Sequence, residues 1–376
     1  MADGAGVSAA PPLQAFIGAL AGDYLLWILL LALAGFSLAA PGNIARYPAL
    51  VDWPTIATLA GLLALTKGVE LSGYLPRLAH RLVSALSSER MLALFLVLAT
   101  ALLATVLTND VALFVMVPLT LTLKETRVPL TRLIVFEAMA ANAGSVLTPI
   151  GNPQNLFLWQ LSHVPFERFV FAMLPLAAVL MLPLLLLTAF AFSGRTLHVP
   201  QNRTATHKDR PMLLLSLGLY IPFLVITDLR HPYLALLVLA PLLLARRQLP
   251  ARLDWALLVV FILMFIDLRL LSQLQVVQTW IAAIDLKQLP HLYLAGVAAS
   301  QVISNVPAAI LLAQYSDDWR VIAYAVNVGG FGVMIGSLAN IIALRMAPDR
   351  RAWISFHAYS LPFLLLATGL TWLLLR

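Results

Sequence analysis

The sequence predicts an all-α polytopic membrane protein built from two inverted-topology repeats, each with a re-entrant hairpin and a broken transmembrane helix. Three observations predict it. The chain of 376 residues is 61% hydrophobic and 11% charged, with a mean hydropathy of +0.91, whereas a soluble domain carries about a quarter charged residues. Two polar, glycine-rich stretches interrupt apolar runs, Asn142–Asn155 (NAGSVLTPIGNPQN) and Asn327–Asn340 (NVGGFGVMIGSLAN), and share the pattern N-x-G-x5-I-G-x3-N. A shorter polar tripeptide precedes each one, Thr108-Asn109-Asp110 and Ser304-Asn305-Val306, so the irregularity recurs as a unit.

A membrane span needs about 20 apolar residues, and runs of that order lie near 17–40, 54–75, 133–158, 168–192, 211–227, 232–245, 254–271, 320–344 and 352–375. Residues 1–16 hold Asp3, Pro11 and Pro12 but no Lys or Arg, so they lack the charged start of a signal peptide and the first apolar run is expected to be retained. The stretches 91–123 and 291–315 are apolar apart from the tripeptides. Arg77, Arg81 and Arg90 precede the first of them, and Lys124, Arg127 and Arg132 follow it. Basic loops mark the cytoplasmic side, so 91–123 is expected to turn back, with Asn109 at a tip buried in protein. The remaining basic loops, around Arg195 to Arg210, Arg246 to Arg252 and Arg345 to Arg351, place the N-terminus inside and the C-terminus outside.

The expected organisation is an N-terminal helix outside the repeat (1–50), repeat 1 (51–192, hairpin 91–123, broken helix 133–158) and a polar cytoplasmic linker (193–210). Connecting helices (211–250) and repeat 2 (251–376, hairpin 291–315, broken helix 320–344) complete it. Asp52-Trp53 opens one helix and Asp254-Trp255 another, and an intramembrane cation follows each Trp at the same distance, Lys67 or Arg269. Inverted repeats of this kind place a ligand site near the midplane of secondary transporters.

Composition excludes several classes. No cysteine is present, which removes disulfides, thiolate metal sites and thiol catalysis. The net charge of +7 comes from loops between apolar segments, a topogenic pattern, and no nucleic-acid partner is expected. The seven His show no metal spacing, and no phosphate loop or catalytic constellation is present. Neither enzyme activity nor a bound cofactor is expected.

At a helix break, unpaired N–H groups and the positive end of the following half-helix make an anion site, while free carbonyls suit a small cation. The residues expected there are Thr108, Asn109, Asp110, Thr148, Gly151, Asn152 and Asn155 from the first repeat. Ser304, Asn305, Gly336, Ser337 and Asn340 come from the second. The alternative is that such residues only pack helices and bond across them. Asp110 reads as a proton or ion carrier, since a carboxylate at bilayer depth is expensive, or as a cap on the returning hairpin helix. Lys67 with Glu70, Asp267 and Arg269 read either as structural or snorkelling groups or as coupling residues. Glu137 is a weaker candidate.

These strings resemble the ion transporter superfamily, which includes arsenite permeases of the ArsB type, NhaD-type sodium/proton antiporters, citrate transporters and divalent-anion/sodium symporters. LTNDVALFVMVPLTL (107–121) and GSVLTPIGNPQNLFL (144–158) resemble the first hairpin and broken helix of the arsenite-permease-like branch, and SNVPAAILL (304–312) and GGFGVMIGSLANIIALRM (329–346) the second pair. The resemblance covers the chain from about residue 52. It implies a scaffold and a transport domain in the inner membrane, a homodimer, an elevator-like movement and a small anion as substrate. A proton or sodium gradient would drive it, and sodium/proton antiport is the other activity implied. In the symporters each hairpin carries Ser-Asn-Thr. Here both terminal Thr positions differ, as Asp110 and Val306, and the added carboxylate points to a proton or a single cation.

Overall fold

The computed structural model describes residues 24–75, 77, 86, 88–126, 128–197 and 208–376. The start of the first expected span, the stretch before the first hairpin with Arg81, Arg127, and most of the 193–210 linker with Arg203 lie outside the described residues. Among the described residues every regular element is a helix.

Helix α1 (Tyr24–Ala39) ends at Pro41, which has no N–H to continue it, and the chain turns by 119° into a short helical run to Leu50. Repeat 1 follows as α2 (Trp53–Leu71), the hairpin α3 (Glu89–Val106) and α4 (Asn109–Leu121), the half-helices α5 (Leu130–Ser145) and α6 (Pro153–Ser162), and α7 (Phe166–Ala191). Helices α8 (Arg210–Asp228) and α9 (Pro232–Ala245) connect the repeats. Repeat 2 has α10 (Trp255–Ser272), a short α11 (Gln275–Ile284), the hairpin α12 (Leu289–Ile303) and α13 (Asn305–Leu312), the half-helices α14 (Trp319–Val328) and α15 (Leu338–Met346), and α16 (Ala352–Leu375).

The two repeats open identically. Asp52 accepts the Thr55 N–H and Asp254 the Leu257 N–H, each at 3.0 Å, capping α2 and α10. Trp53 and Trp255 both donate Nε1–H at 2.8 Å to a proline carbonyl five residues upstream, Pro48 or Pro250. The match therefore begins earlier than the Asp-Trp pair, as PALVDW and PARLDW. Arg269, near the end of α10, donates to the Leu50 carbonyl just before α2 at 2.8 Å. The end of one opening helix thus lies beside the start of the other, so the two run antiparallel and the repeats are inverted.

The first hairpin returns to the face it left. Arg90 at its start donates to the Phe192 carbonyl at 3.1 Å, and Arg132, just past its end, donates to the Ala191 carbonyl at 2.8 Å. Both flanks therefore meet the same end of α7.

Five described helices, α3, α7, α8, α10 and α16, are long and apolar enough to cross a membrane, and α1 with its bent continuation would be a sixth. The half-helices are not. They hold 16, 10, 10 and 9 residues, or about 24, 15, 15 and 14 Å, against a hydrocarbon core of about 30 Å. The first halves occupy the centre, with every residue of 133–145 and 321–328 buried. Large apolar side chains such as Phe190 on α7 and Leu365 on α16 face outward, as expected where the solvent is lipid.

The breaks meet through a reciprocal set of amide bonds. Asn142 in α5 donates to Asn340 Oδ1 at 2.8 Å and accepts from Ser337 at 3.0 Å. Its counterpart Asn327 in α14 donates to Asn155 Oδ1 at 2.7 Å and accepts from Asn152 at 3.0 Å. In the repeat alignment Asn142 corresponds to Asn327, Asn155 to Asn340 and Asn152 to Ser337. Each bond therefore has its mirror, which is the mark of a two-fold relation.

Cysteine placed at Arg90 and at Lys124 is expected to react with a membrane-impermeant maleimide from one and the same side; labelling from opposite sides would make the hairpin a crossing. For the amide clasp, Asn142→Ala strands two buried polar partners and is expected to lower stability by about 1–3 kcal/mol. In double-mutant cycles the pairs Asn142/Asn340 and Asn327/Asn155 should both show coupling of about 1 kcal/mol, whereas additivity within about 0.5 kcal/mol would remove the clasp.

Candidate functional site

Each hairpin turns at a residue with unusual backbone angles. Thr108 has φ 150° and ψ 156°, and its counterpart Ser304 has φ 72° and ψ 160°. That region is nearly confined to glycine and costs about 1–3 kcal/mol for other residues. Both tips nevertheless keep a hydroxyl. The Asn109 N–H donates to the Gly151 carbonyl at 2.9 Å, and Ser304 Oγ approaches the equivalent Gly336 carbonyl at 3.5 Å. At Gly151 a Cβ would collide with the Ser145 carbonyl, and at Gly336 it would lie 2.7 Å from the Gly329 carbonyl, so only glycine lets each break fold back this tightly.

A broken helix leaves carbonyls unpaired at the end of its first half and N–H groups unpaired at the start of its second. The carbonyls are taken up inside the protein. Asn155 Nδ2 donates to the Val146 and Thr148 carbonyls at 2.9 and 3.2 Å, and Asn340 Nδ2 to the Gly330 carbonyl at 2.9 Å. From the hairpin arms, Thr105 donates to the Gly144 carbonyl at 2.8 Å and its counterpart Gln301 to the Gly329 carbonyl at 2.7 Å. Thr148 bonds the Thr105 carbonyl, and Asn152 caps α6 by accepting the Asn155 N–H at 2.9 Å.

The N-terminal ends of four helices converge; at α4 the first three N–H groups are already bonded, to the Gly151 carbonyl, Asn109 Oδ1 and Thr108 Oγ1. A cavity of about 40 Å³ is lined by Asn109 and Asp110 of α4, Pro153 and Gln154 of α6, Ser304 to Pro307 at the start of α13, and Ser337 and Leu338 at the start of α15. Its other wall is apolar, from Leu25 of α1 and from Leu257, Val260, Phe261 and Met264 of α10. No Lys, Arg or His is among the lining residues. Four positive helix ends thus surround a space in which, among the described residues, Asp110 alone carries a formal charge. Asp110 does not cap α4. Thr108 Oγ1 approaches the Val111 N–H at 3.5 Å and Asn109 Oδ1 accepts the Asp110 N–H at 3.0 Å, while Asp110 Oδ1 is buried without a partner.

Of the residues singled out in the sequence, Asn109, Asp110, Ser304, Asn305 and Ser337 line this cavity. Thr108, Thr148, Gly151, Asn152, Asn155, Gly336 and Asn340 stand behind it, shaping the tips and breaks. Lys67 and Glu70 pair with each other at 2.9 Å and are half-buried. Arg269 is engaged with Leu50, and its guanidinium lies 5.9 Å from the centre of the Phe265 ring. Asp267 is buried with neither carboxylate oxygen bonded, and Glu137 is fully buried with one oxygen accepting from Thr120 at 2.6 Å. Among the described residues no group of three or more His, Cys, Asp or Glu could hold a metal. Sequence reasoning does not find Gln154, the apolar wall, Thr105 or Gln301, nor the bonds by which Asn142 and Asn327 each reach the opposite break; the two asparagines stand first in the repeated pattern, which is a usable signal.

A family model described as citrate transporter matches residues 23–317. The chain is 48% identical over 364 residues, 96% of its length and 97% of the relative's, to the inner membrane protein YbiR of Escherichia coli. It is 33% identical over 302 residues, 79% of this chain and 82% of the other, to an uncharacterized transporter of Methanocaldococcus jannaschii. Over 126 residues, 33% of this chain and 26% of the relative, it is 30% identical to the silicon efflux transporter LSI3 of Oryza sativa. With the matching fold, these likenesses establish that the chain is a membrane transporter belonging to the citrate transporter family.

Proposed function

We propose that the chain is a secondary active transporter that carries a small anion or oxyanion across the inner membrane, coupled to a proton or sodium gradient. The observation that carries this reading is the convergence of four helix N-termini, two from each repeat, on one cavity. Helix N-termini stabilise negative charge without a basic side chain. About 40 Å³ corresponds to roughly three water-sized positions, which favours an inorganic oxyanion of a few atoms over a tricarboxylate in this state. The partial relative named for silicon efflux agrees with a small cargo. Asp110 supplies the coupling charge, since its carboxylate faces the cargo space and a proton or cation bound there offsets the repulsion between carboxylate and anion.

The hairpins and half-helices move as one elevator-like body, a reading supported by the clasp that joins both breaks. The N-terminus lies inside and the C-terminus outside, following the basic loops. The chain works as a homodimer in that membrane, as the family resemblance implies. The second reading is a cation/proton antiporter, favoured by one observation: among the described residues the one charged side chain lining the cavity is an acid.

Uptake by proteoliposomes separates the two. With arsenite, silicic acid, phosphate and citrate offered in turn under an imposed pH or sodium gradient, the wild type is expected to accumulate at least one in a saturable, gradient-dependent way. Asp110→Asn should fold equally well, because Thr108 and Asn109 do the capping, and should reduce accumulation to the level of empty liposomes. Unchanged accumulation by Asp110→Asn would remove Asp110 from coupling. Sodium-driven proton release with no anion uptake would establish the antiporter.

A further inference from the structure

Three acids in the apolar segments, Asp110, Glu137 and Asp267, have no acidic counterpart in the opposite repeat. Asp110 corresponds to Val306, Glu137 to Ile322 and Asp267 to Leu65. The same positions in the same fold are therefore filled by apolar side chains, and packing does not require an acid at any of them. Asp110 belongs to the cavity, and Glu137 is bonded to Thr120. Asp267 has no such attachment.

Asp267 lies on the helix that forms the apolar wall. Leu257, Val260, Phe261 and Met264 recur at i, i+3, i+4 and i+7 along α10, and three residues past Met264 the stripe reaches Asp267. That is about 4.5 Å further along the axis, toward the end of α10 that Arg269 ties to Leu50. Asp267 is 4% exposed, and neither of its carboxylate oxygens has a hydrogen-bond partner among the described residues.

Packed against α10 are α1, α2, α11, α13 and the segment before α2, together with α6 through the Phe157–Phe265 ring contact at 5.4 Å and Tyr315, whose hydroxyl bonds the Ser272 carbonyl. None of α1, α6, α11 and α13 carries an Asp, Glu, Lys, Arg or His. On α2, Lys67 and Glu70 bond each other near the opposite end. Arg46 lies within the short run to Leu50, and Arg269, two residues from Asp267 on its own helix, is bonded to the Leu50 carbonyl. A metal cation needs several oxygen ligands in one place, and no hydrogen-bonding group among the described residues engages the Asp267 carboxylate. A proton needs a single oxygen.

We infer that Asp267 is a second proton-exchanging residue of the transport cycle, placed one turn beyond the cavity wall on the path toward the Leu50 end of α10. The step forms one O–H bond on a carboxylate oxygen, with the proton drawn from water on that side, and breaks the same bond on release toward the cavity. The inference rests on the transporter reading of the cavity and deepens it by naming the proton as the coupling ion.

Infrared difference spectra of the reconstituted full chain, stepped from about pH 5 to about pH 9, read proton binding without any substrate. A carboxyl signal that titrates in the wild type, survives in Asp110→Asn and disappears in Asp267→Asn supports the assignment. Identical spectra for the wild type and Asp267→Asn overturn it. Asp267→Leu imitates the opposite repeat and serves as the folding control, with an unchanged thermal midpoint expected. In the uptake assay Asp267→Asn should keep solute exchange at equilibrium but lose accumulation driven by a pH gradient, and Asp267→Glu should restore it; accumulation at the wild-type level in Asp267→Asn overturns the role in coupling. If the wild type accumulates no anion, the reading of the cavity fails while the infrared result still decides whether Asp267 exchanges a proton.

Discussion

The structure depends on a constraint imposed by lipid: a backbone opened at membrane depth has no water to bond, and each unsatisfied group costs several kcal/mol. Two helices are opened here, and side-chain amides replace the missing partners. Asn155 and Asn340 fold back onto the carbonyls of their own breaks, and each then accepts from the asparagine that precedes the other break. Neither break is satisfied by its own repeat alone. The inverted repeats therefore meet at this point, and the burial of α5 and α14 follows from it.

The same bonds give the cavity its polarity. Asparagines and the hairpin-arm residues Thr105 and Gln301 consume carbonyl ends, and the helix ends that border the open space are N-terminal ones. The hairpin tips complete the arrangement at the expense of backbone strain at Thr108 and Ser304. Near-symmetry also makes the exceptions informative. Where one repeat has Asp110, Glu137 or Asp267, the other has Val306, Ile322 or Leu65, and an acid that the fold can do without points to chemistry rather than packing.

Much of the fold was legible because lipid makes its irregularities conspicuous. Gly, Pro and Asn in an apolar run stand out, and Gly151-Asn152-Pro153 and Ser304-Asn305 mark the places where the chain breaks or turns. Arg90 and Lys124 gave the return of the first hairpin by their loops, and Lys67 with Glu70 gave their own pairing by spacing. The site was less legible. An asparagine can face a ligand or bond a neighbouring break, and sequence does not distinguish Asn109, which lines the cavity, from Asn155, which is turned inward. The wall formed by Val260, Phe261 and Met264 looks like any lipid-facing stripe until α1 and α13 are packed against it. The opening of the repeats at Pro48 and Pro250 was missed because a proline five residues before a tryptophan has no meaning until the indole bonds its carbonyl.

The central claim is that both repeats present their helix N-termini to one cargo. Cryo-electron microscopy of the reconstituted protein with the solute that it accumulates tests this most directly. The account predicts density between Asn109, Asn305 and Ser337, within hydrogen-bond reach of N–H groups from both repeats. Density confined to one repeat, or lying against the lipid-facing surface with the cavity closed, would contradict it.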